Sequence, residues 1–420
     1  MKVSVIGAGY VGLVTGLCLA NQGNEVVCID VVESKVEMLN RRACPIFEKG
    51  LDRLLNENID RGRFRASMDM AEVSGTDVTF ICVGTPSKCD GSLDIKYAIS
   101  AASDLGRAIA DKTDHHVLVM KSTLPPGTTD GIIIPEVERS SGKVHGQGFG
   151  VAVNPEFLRE GNAINDFFHP DRVVIGSRDA RSVNLLRTLY SELHAPFVEV
   201  SPAAAEMTKL ASNAFLAARI SLINEIGNLC KTEGIDVREV AHGIGLDRRI
   251  GPHFLHAGCG FGGSCFPKDV QGLAALARKN GVDPVLLDGV LSVNKAQGLQ
   301  MVKLLEHHMA IAQRNIGVLG LAFKPDTDDT REAVSRKVVK ELLSHGARVI
   351  AHDYQAMDEF RREFPQVEYS PSPEKCIQRS DAVLILTEWP GYADPSLYGD
   401  KLVIDGRGIV HTSNYEGVCW

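Results

Sequence analysis

The sequence has no Cys-x-x-Cys pair, no apolar run long enough to cross a bilayer, no internal repeat and no surplus of positive charge. Its ten cysteines are scattered over 420 residues. Neither a disulfide framework nor a zinc site is expected from that spacing, and no metal is called for. The formal net charge of −8 argues against nucleic acid as a partner, because no general electrostatic attraction would hold it. The opening MKVSVIGAGYVG turns into glycines after a short apolar run, unlike a signal peptide. Membrane attachment is not expected, and the cytoplasm is the expected compartment. What is present is ordinary for a soluble globular chain, 44% hydrophobic and 23% charged. The length exceeds what one core usually holds, so about two or three domains are expected.

Short apolar runs recur, each ended by a polar or Gly/Pro turn: KVSVI, EVVCID, VTFICVG, HVLVMKST, FGVAVNPEF and RVVIGS. Helical stretches such as 14–21 and 98–110 alternate with them. That rhythm predicts a parallel sheet with helices on both faces. From Pro202 the texture changes. The stretch AAAEMTKLASNAFLAARISLINEIGNLCKTEG is Ala-rich, lacks proline after its start and closes at Gly234. It predicts a long buried helix, over about 206–231, that connects domains. Helical texture continues through 273–279 and 291–307, and then NIGVLGLAF, RVIAHD, DAVLILT and KLVIDG restart the strand rhythm. The fold class is therefore read as α/β. Two Rossmann-like parallel-sheet domains, residues 1–200 and 301–420, are joined by the long central helix and a helical middle domain over 201–300.

Gly7, Gly9 and Gly12 form Gly-x-Gly-x-x-Gly, with Tyr10 and Val11 in the same turn, directly after the first strand and before a helix. Such a turn brings backbone close to a pyrophosphate, and the helix N-terminus faces it with unbonded N–H groups. Asp30 ends the second strand, where an acid takes ribose hydroxyls. A carboxylate there repels a 2′-phosphate and no arginine follows it, so NAD is expected rather than NADP. Lys35 either reaches the ribose or is a solvated helix lysine. Thr85 and Thr123 follow later strands, whose carboxyl ends bind ligands in such sheets. They are read as nicotinamide-side contacts or, alternatively, as turn hydroxyls.

GAGYVG with its downstream acid, VGTPS, NPEFLREG, AEMTKLASNAF, GFGGSCFPKD and GLAFKPDTDDTRE occur in that order. Together they resemble the UDP-glucose/GDP-mannose dehydrogenase family over essentially the whole chain. The cysteine motif is the specific part of the likeness. The resemblance implies a four-electron oxidation of a sugar-nucleotide primary alcohol to a carboxylate, with two NAD per turnover. It implies that 1–200 binds NAD, 201–300 dimerises and 301–420 binds the UDP-sugar, in a homodimer or larger homo-oligomer.

The chemistry explains why such an enzyme needs a thiol. An aldehyde cannot readily lose a second hydride until something adds to its carbon, and Cys265 is the group assigned to do so. Ser264 reads as the N-cap of the following helix, which would place Cys265 in its first turn, where the helix dipole favours a thiolate. Gly262 and Gly263 are read as letting backbone approach the substrate. Lys209 and Asn213, four apart on the long helix, share one face. By resemblance Lys209 stabilises the oxyanion, and Asn213 positions alcohol or water. Asp269, one turn past the cysteine, holds the water or takes a proton, Glu156 is the base for hydrolysis, and Thr123 helps hold the water. The plain alternatives are a buried small hydrophobe for Cys265, a helix-edge lysine for Lys209 and a dipole-serving carboxylate for Asp269.

The resemblance assigns Phe157, Leu158, Arg159 and Glu160 to the sugar and phosphates, with Lys209, Asn213 and Gly262. Phe323 and Lys324 are assigned to uridine and sugar, and Arg407 to the substrate. Arg249 and Phe254 are assigned to the substrate as well, and Arg249 would reach the neighbouring subunit's site. Arg331, Glu160 and Lys268 are assigned to NAD. After DTRE this chain continues Ala333-Val334, where many relatives have Ser-Pro. Its ending EGVCW leans toward the GDP-mannose branch, and DRRIGPHFL toward the UDP-glucose branch. UDP-glucose is the expected substrate, with GDP-mannose or a UDP-N-acetylhexosamine as the alternative.

Overall fold

The computed structural model describes residues 1–420. The chain folds as two compact units, Met1–Ser212 and Asn213–Trp420.

The first unit is built on an eight-stranded sheet: β1 (Lys2–Ile6), β2 (Glu25–Ile29), β3 (Phe64–Ser67), β4 (Val78–Ile81), β5 (His116–Met120), β6 (Phe149–Val153), β7 (Val173–Gly176) and β8 (Phe197–Val200). Their order is β3-β2-β1-β4-β5-β6-β7-β8. Side chains alternate between two cores, as strand geometry demands. Val3, Val5, Val117 and Val119 enter one, while Ile6, Leu118 and Met120 enter the other. Helices cover both faces, so β1, β4, β5 and β6 are near-continuous apolar runs. One expectation fails in part: β7 pairs antiparallel with β6, at Val153↔Gly176. A run such as VVIG is apolar in either direction, so its composition carries no sense of direction.

The second unit holds a six-stranded, all-parallel sheet: β9 (Asn315–Leu319), β10 (Arg348–His352), β11 (Glu368–Tyr369), β12 (Ala382–Ile385), β13 (Leu402–Asp405) and β14 (Tyr415–Gly417). Its order is β11-β10-β9-β12-β13-β14. That is the 3-2-1-4-5-6 order of a doubly wound nucleotide-binding fold, and the first six strands of the other sheet repeat it. Ile316, Val318, Leu384 and Ile404 face one core, and Leu319, Val383, Ile385 and Val403 the other.

The helix Pro202–Thr232 runs for 31 residues, and the boundary between the units falls within it. Proline opens it, where its missing N–H costs nothing. Gly234, at φ +68, stops it with the left-handed turn only glycine adopts cheaply. The second unit also contains the helices Val237–Gly245, Phe266–Lys279 and Val285–His308. The last two begin earlier than the apolar texture at 273 and 291 suggests. No helix is long and apolar enough to cross a membrane.

Candidate active site

At the carboxyl end of β1 the chain turns at Gly7, whose φ is +105. A Cβ on Gly12 would stand 1.9 Å from the Gly7 carbonyl oxygen, so the helix Tyr10–Asn21 packs directly on the turn. Gly9 precedes that helix, no side chain caps it, and a Cβ on Gly9 would meet nothing within 4 Å. The result is an open cradle at uncapped N–H groups. Asp30 stands beside it, with Oδ2 accepting from the Ala8 N–H (2.6 Å) and Oδ1 from the Val32 N–H (2.9 Å). Both bonds fix the carboxylate and leave further lone pairs outward. Tyr10 turns its hydroxyl to buried Glu48 and accepts from the Gly161 N–H at 2.9 Å. Val11 is half-buried against the first core, and Lys35 is half-buried as well. Thr85 is buried just past β4, and Thr123 half-buried just past β5.

Deeper in the same unit lies a charged pair. Lys209 Nζ is 2.8 Å from Glu156 Oε1, and Glu156 Oε2 accepts from the Leu158 N–H at 2.7 Å. Burial alone would raise the Glu156 carboxyl. The charge and hydrogen bond of Lys209, the Leu158 amide and the Lys121 charge outweigh it and hold the group below its ordinary range. Lys209 is buried, so the helix-edge reading of this lysine is set aside. The Phe157 ring lies 5.5 Å from Lys209 Nζ and 3.7 Å from the Arg172 guanidinium. Arg159 lies against Asp166 at 2.5 Å, and Glu160 is half-exposed.

Sequence reasoning passed over Lys121. It directly follows β5 and is buried, with Nζ donating to Asn154 Oδ1 at 2.8 Å. Tyr190 donates to the same oxygen at 2.8 Å. Burial pushes the Lys121 ammonium down to about 8, against the opposing pull of Cys82 and Glu156 and with the push of Lys209.

In the second unit, Cys265 is itself the N-cap of the helix Phe266–Lys279, one position later than the reading of Ser264 as the cap. The first helical bond runs from the Asp269 N–H to the Cys265 carbonyl at 2.9 Å. The Ser264 Oγ lies 3.6 Å from Cys265 Sγ. Asp269 is buried, with Oδ2 accepting from Asn213 Nδ2 at 2.6 Å and Oδ1 paired with Lys268. Asn213 stands one turn past Lys209 on the long helix, and both are buried.

The glycines before Cys265 answer to the chain itself. A Cβ on Gly262 would stand 2.4 Å from the Glu332 carbonyl oxygen, and one on Gly263 would stand 2.8 Å from the Phe323 ring. The Gly263 N–H donates to the Arg331 carbonyl at 2.9 Å. Both glycines are therefore packed closely on the segment 323–333, with no room there for a Cβ. Lys324 Nζ lies 6.0 Å from the Phe323 ring centre. Arg331 pairs with Asp329 at 2.7 Å, and Arg249, 88% exposed, with Asp247 at 2.6 Å. Arg407 pairs with Glu388 at 3.2 Å. Phe254 adopts φ +60, uncommon for an aromatic residue.

Three family models align along this chain: the NAD binding domain of the UDP-glucose/GDP-mannose dehydrogenase family over 1–194, its central domain over 203–296 and its UDP binding domain over 317–412. The chain belongs to the UDP-glucose/GDP-mannose dehydrogenase family. It is 42% identical to the UDP-glucose 6-dehydrogenase AglM of Haloferax volcanii, over 98% of this chain and 97% of that one. It is 35% identical to a GDP-mannose 6-dehydrogenase of Azotobacter vinelandii, over the whole of both. Its fold matches the structure of a UDP-glucose dehydrogenase from Pyrobaculum islandicum with a TM-score of 0.96 at 43% identity, covering 100% of this chain and 98% of that one.

As a member of this family the protein is an NAD-dependent dehydrogenase of nucleotide sugars. The open Gly9 cradle, the uncapped helix N-terminus and Asp30 fit NAD: the glycines and N–H groups would take its pyrophosphate and Asp30 a ribose.

Proposed function

We propose that this dehydrogenase oxidises the C6 primary alcohol of UDP-glucose to the carboxylate, with Cys265 as its nucleophile. Bound NAD would accept the hydride lost in each of the two oxidations. Loss of a hydride and a proton from the alcohol gives the aldehyde. The Cys265 sulfur adds to the aldehyde carbon, forming a thiohemiacetal. Loss of a second hydride and a proton from that adduct leaves a thioester, which water cleaves to the carboxylate and the regenerated thiol. The Lys209 ammonium stabilises oxyanion character at C6, Asn213 and Asp269 act as a bonded pair that orients alcohol and water, and Glu156 with Thr123 serves the hydrolytic water.

The observation that carries this reading is Cys265 standing at a helix N-terminus that no side chain caps. First-turn amides there favour a thiolate. UDP-glucose is favoured by the full-length likeness to UDP-glucose 6-dehydrogenases. A sibling reading, GDP-mannose, draws on the 35% identical relative of that name.

We assign NAD binding to 1–200, dimerisation to 201–300 and UDP-sugar binding to 301–420. Phe215, Leu222 and Leu229, seven apart on the long helix, are exposed large hydrophobics. Such a stripe supports a homodimer through this helix. The ten cysteines form no disulfide, which fits the cytoplasm.

NADH yield tests the reading, with UDP-glucose, GDP-mannose and a UDP-N-acetylhexosamine supplied in turn. Two NADH per UDP-glucose are expected. One per UDP-glucose contradicts the four-electron reaction, and faster turnover of another sugar contradicts the substrate.

A further inference from the structure

The loop that carries Cys265 has four glycines among residues 258–264. Such a segment loses much conformational freedom when ordered and has little side chain of its own to pack. It is instead gripped by buried amide side chains. Asn224 Oδ1 accepts from the Gly258 N–H at 2.8 Å, and Gln297 Nε2 donates to the Gly258 carbonyl at 2.9 Å. Asn294 takes both backbone groups of Phe261: its Oδ1 accepts from the N–H at 2.8 Å, and its Nδ2 donates to the carbonyl at 2.9 Å. Asn228 Nδ2 donates to Gln297 Oε1 at 2.8 Å, which fixes the Gln297 amide with its nitrogen toward the loop.

The geometry is that of a clamp. Asn224 and Asn228 are one turn apart on the helix Pro202–Thr232, and Asn294 and Gln297 one turn apart on the helix Val285–His308. Asn224, Asn294 and Gln297 are all buried. A Cβ on Gly260, which has φ +103, would stand 2.7 Å from Asn294 Oδ1, so that glycine is required by the amide against it. Buried amides that lose a partner are costly, so the network holds one arrangement rather than several.

We propose that Asn224, Asn294 and Gln297 are positioning residues that hold the cysteine loop so that the Cys265 sulfur stands at one place for attack on the aldehyde. They touch backbone of the loop and act through it. The inference rests on the reading of Cys265 as nucleophile. The thiol is used only after the first hydride has left, so a loosened loop impairs the second oxidation selectively, whereas general structural damage slows both.

The test is a rapid-mixing trace of NADH formation by the full-length Asn294→Leu enzyme with UDP-glucose, beside wild type and Cys265→Ala. The first NADH forms within about twofold of the wild-type rate with unchanged KM for the sugar nucleotide, and the second is slower by about 10- to 100-fold, the scale of a misplaced reacting group. Asn294→Asp, which keeps the bond to the Phe261 N–H, falls between. If Asn294→Leu does not fold, Gln297→Leu is read in the same way. A second step within about twofold of wild type, or both steps slowed alike, overturns the clamp. If Cys265→Ala itself forms two NADH per site, the nucleophile reading fails and the clamp with it. If Cys265→Ala stops after one while Asn294→Leu is normal, only the clamp fails.

Discussion

Lys209 Nζ stands 2.8 Å from Glu156 Oε1, with the two residues 4% and 8% exposed. Removing one partner of a buried pair leaves the other charge stranded, at a cost of about 3–5 kcal/mol. Lys209→Ala is therefore expected to lower Tm. The Glu156 carboxyl, relieved of the cation, rises under burial, so the acidic limb of the pH–rate profile moves to higher pH. In wild type the sign is that of a depressed carboxyl: its contribution to stability is complete above the unfolded value and is lost as pH falls through the lower folded one. Kinetically, Lys209→Ala should lose the NADH burst, slowed by about 10²-fold or more. Asp269→Asn should keep the burst and accumulate acyl-enzyme. An intact burst and near-normal turnover in both would remove these residues from the mechanism.

Lys121 gives a second pH signature. Its ammonium is pushed from 10.5 to about 8 by burial. Between those values the unfolded chain binds the proton and the folded chain does not, so this residue makes stability rise with pH across about 8 to 10.5. Lys121→Met should flatten that rise in a Tm-against-pH series and be more stable than wild type at neutral pH. An unchanged slope would show that Lys121 keeps an ordinary ammonium.

The long helix, the two doubly wound sheets and the glycine cradle were legible in the sequence because each depends on local pattern: an Ala-rich run closed by Gly234, apolar strands at regular spacing, glycines after a strand. The four edge strands β3, β8, β11 and β14 were not, since strands of two to four residues at a sheet edge make no clear pattern. Cys265 was legible by its motif, but its rank as N-cap was not, because Ser264 is the better capping residue by type. Lys121 and the amides Asn224, Asn294 and Gln297 were invisible for one reason. A polar residue on a helix or after a strand looks solvated until the packing around it is known.

Asp30 should set the cofactor. Wild type is expected to turn over NAD with a much higher kcat/KM than NADP, and Asp30→Asn to narrow that ratio by raising the KM for NAD while weakening repulsion of the 2′-phosphate. Comparable use of both cofactors by wild type would contradict this.

The exposed stripe of Phe215, Leu222 and Leu229 predicts the assembly. Leu222→Glu should convert a dimer to a monomer in sedimentation velocity with little change in far-UV spectrum. A wild-type monomer, or a variant that stays dimeric, would show that this face is not the interface.

The central claim is that the sulfur of Cys265 makes the second oxidation possible. The direct measurement is a quenched single turnover of Cys265→Ala with UDP-glucose and excess NAD, counting NADH and identifying the sugar product at each enzyme site. The account predicts one NADH and an aldehyde, with no carboxylate. Two NADH and the carboxylate from the alanine variant would contradict it.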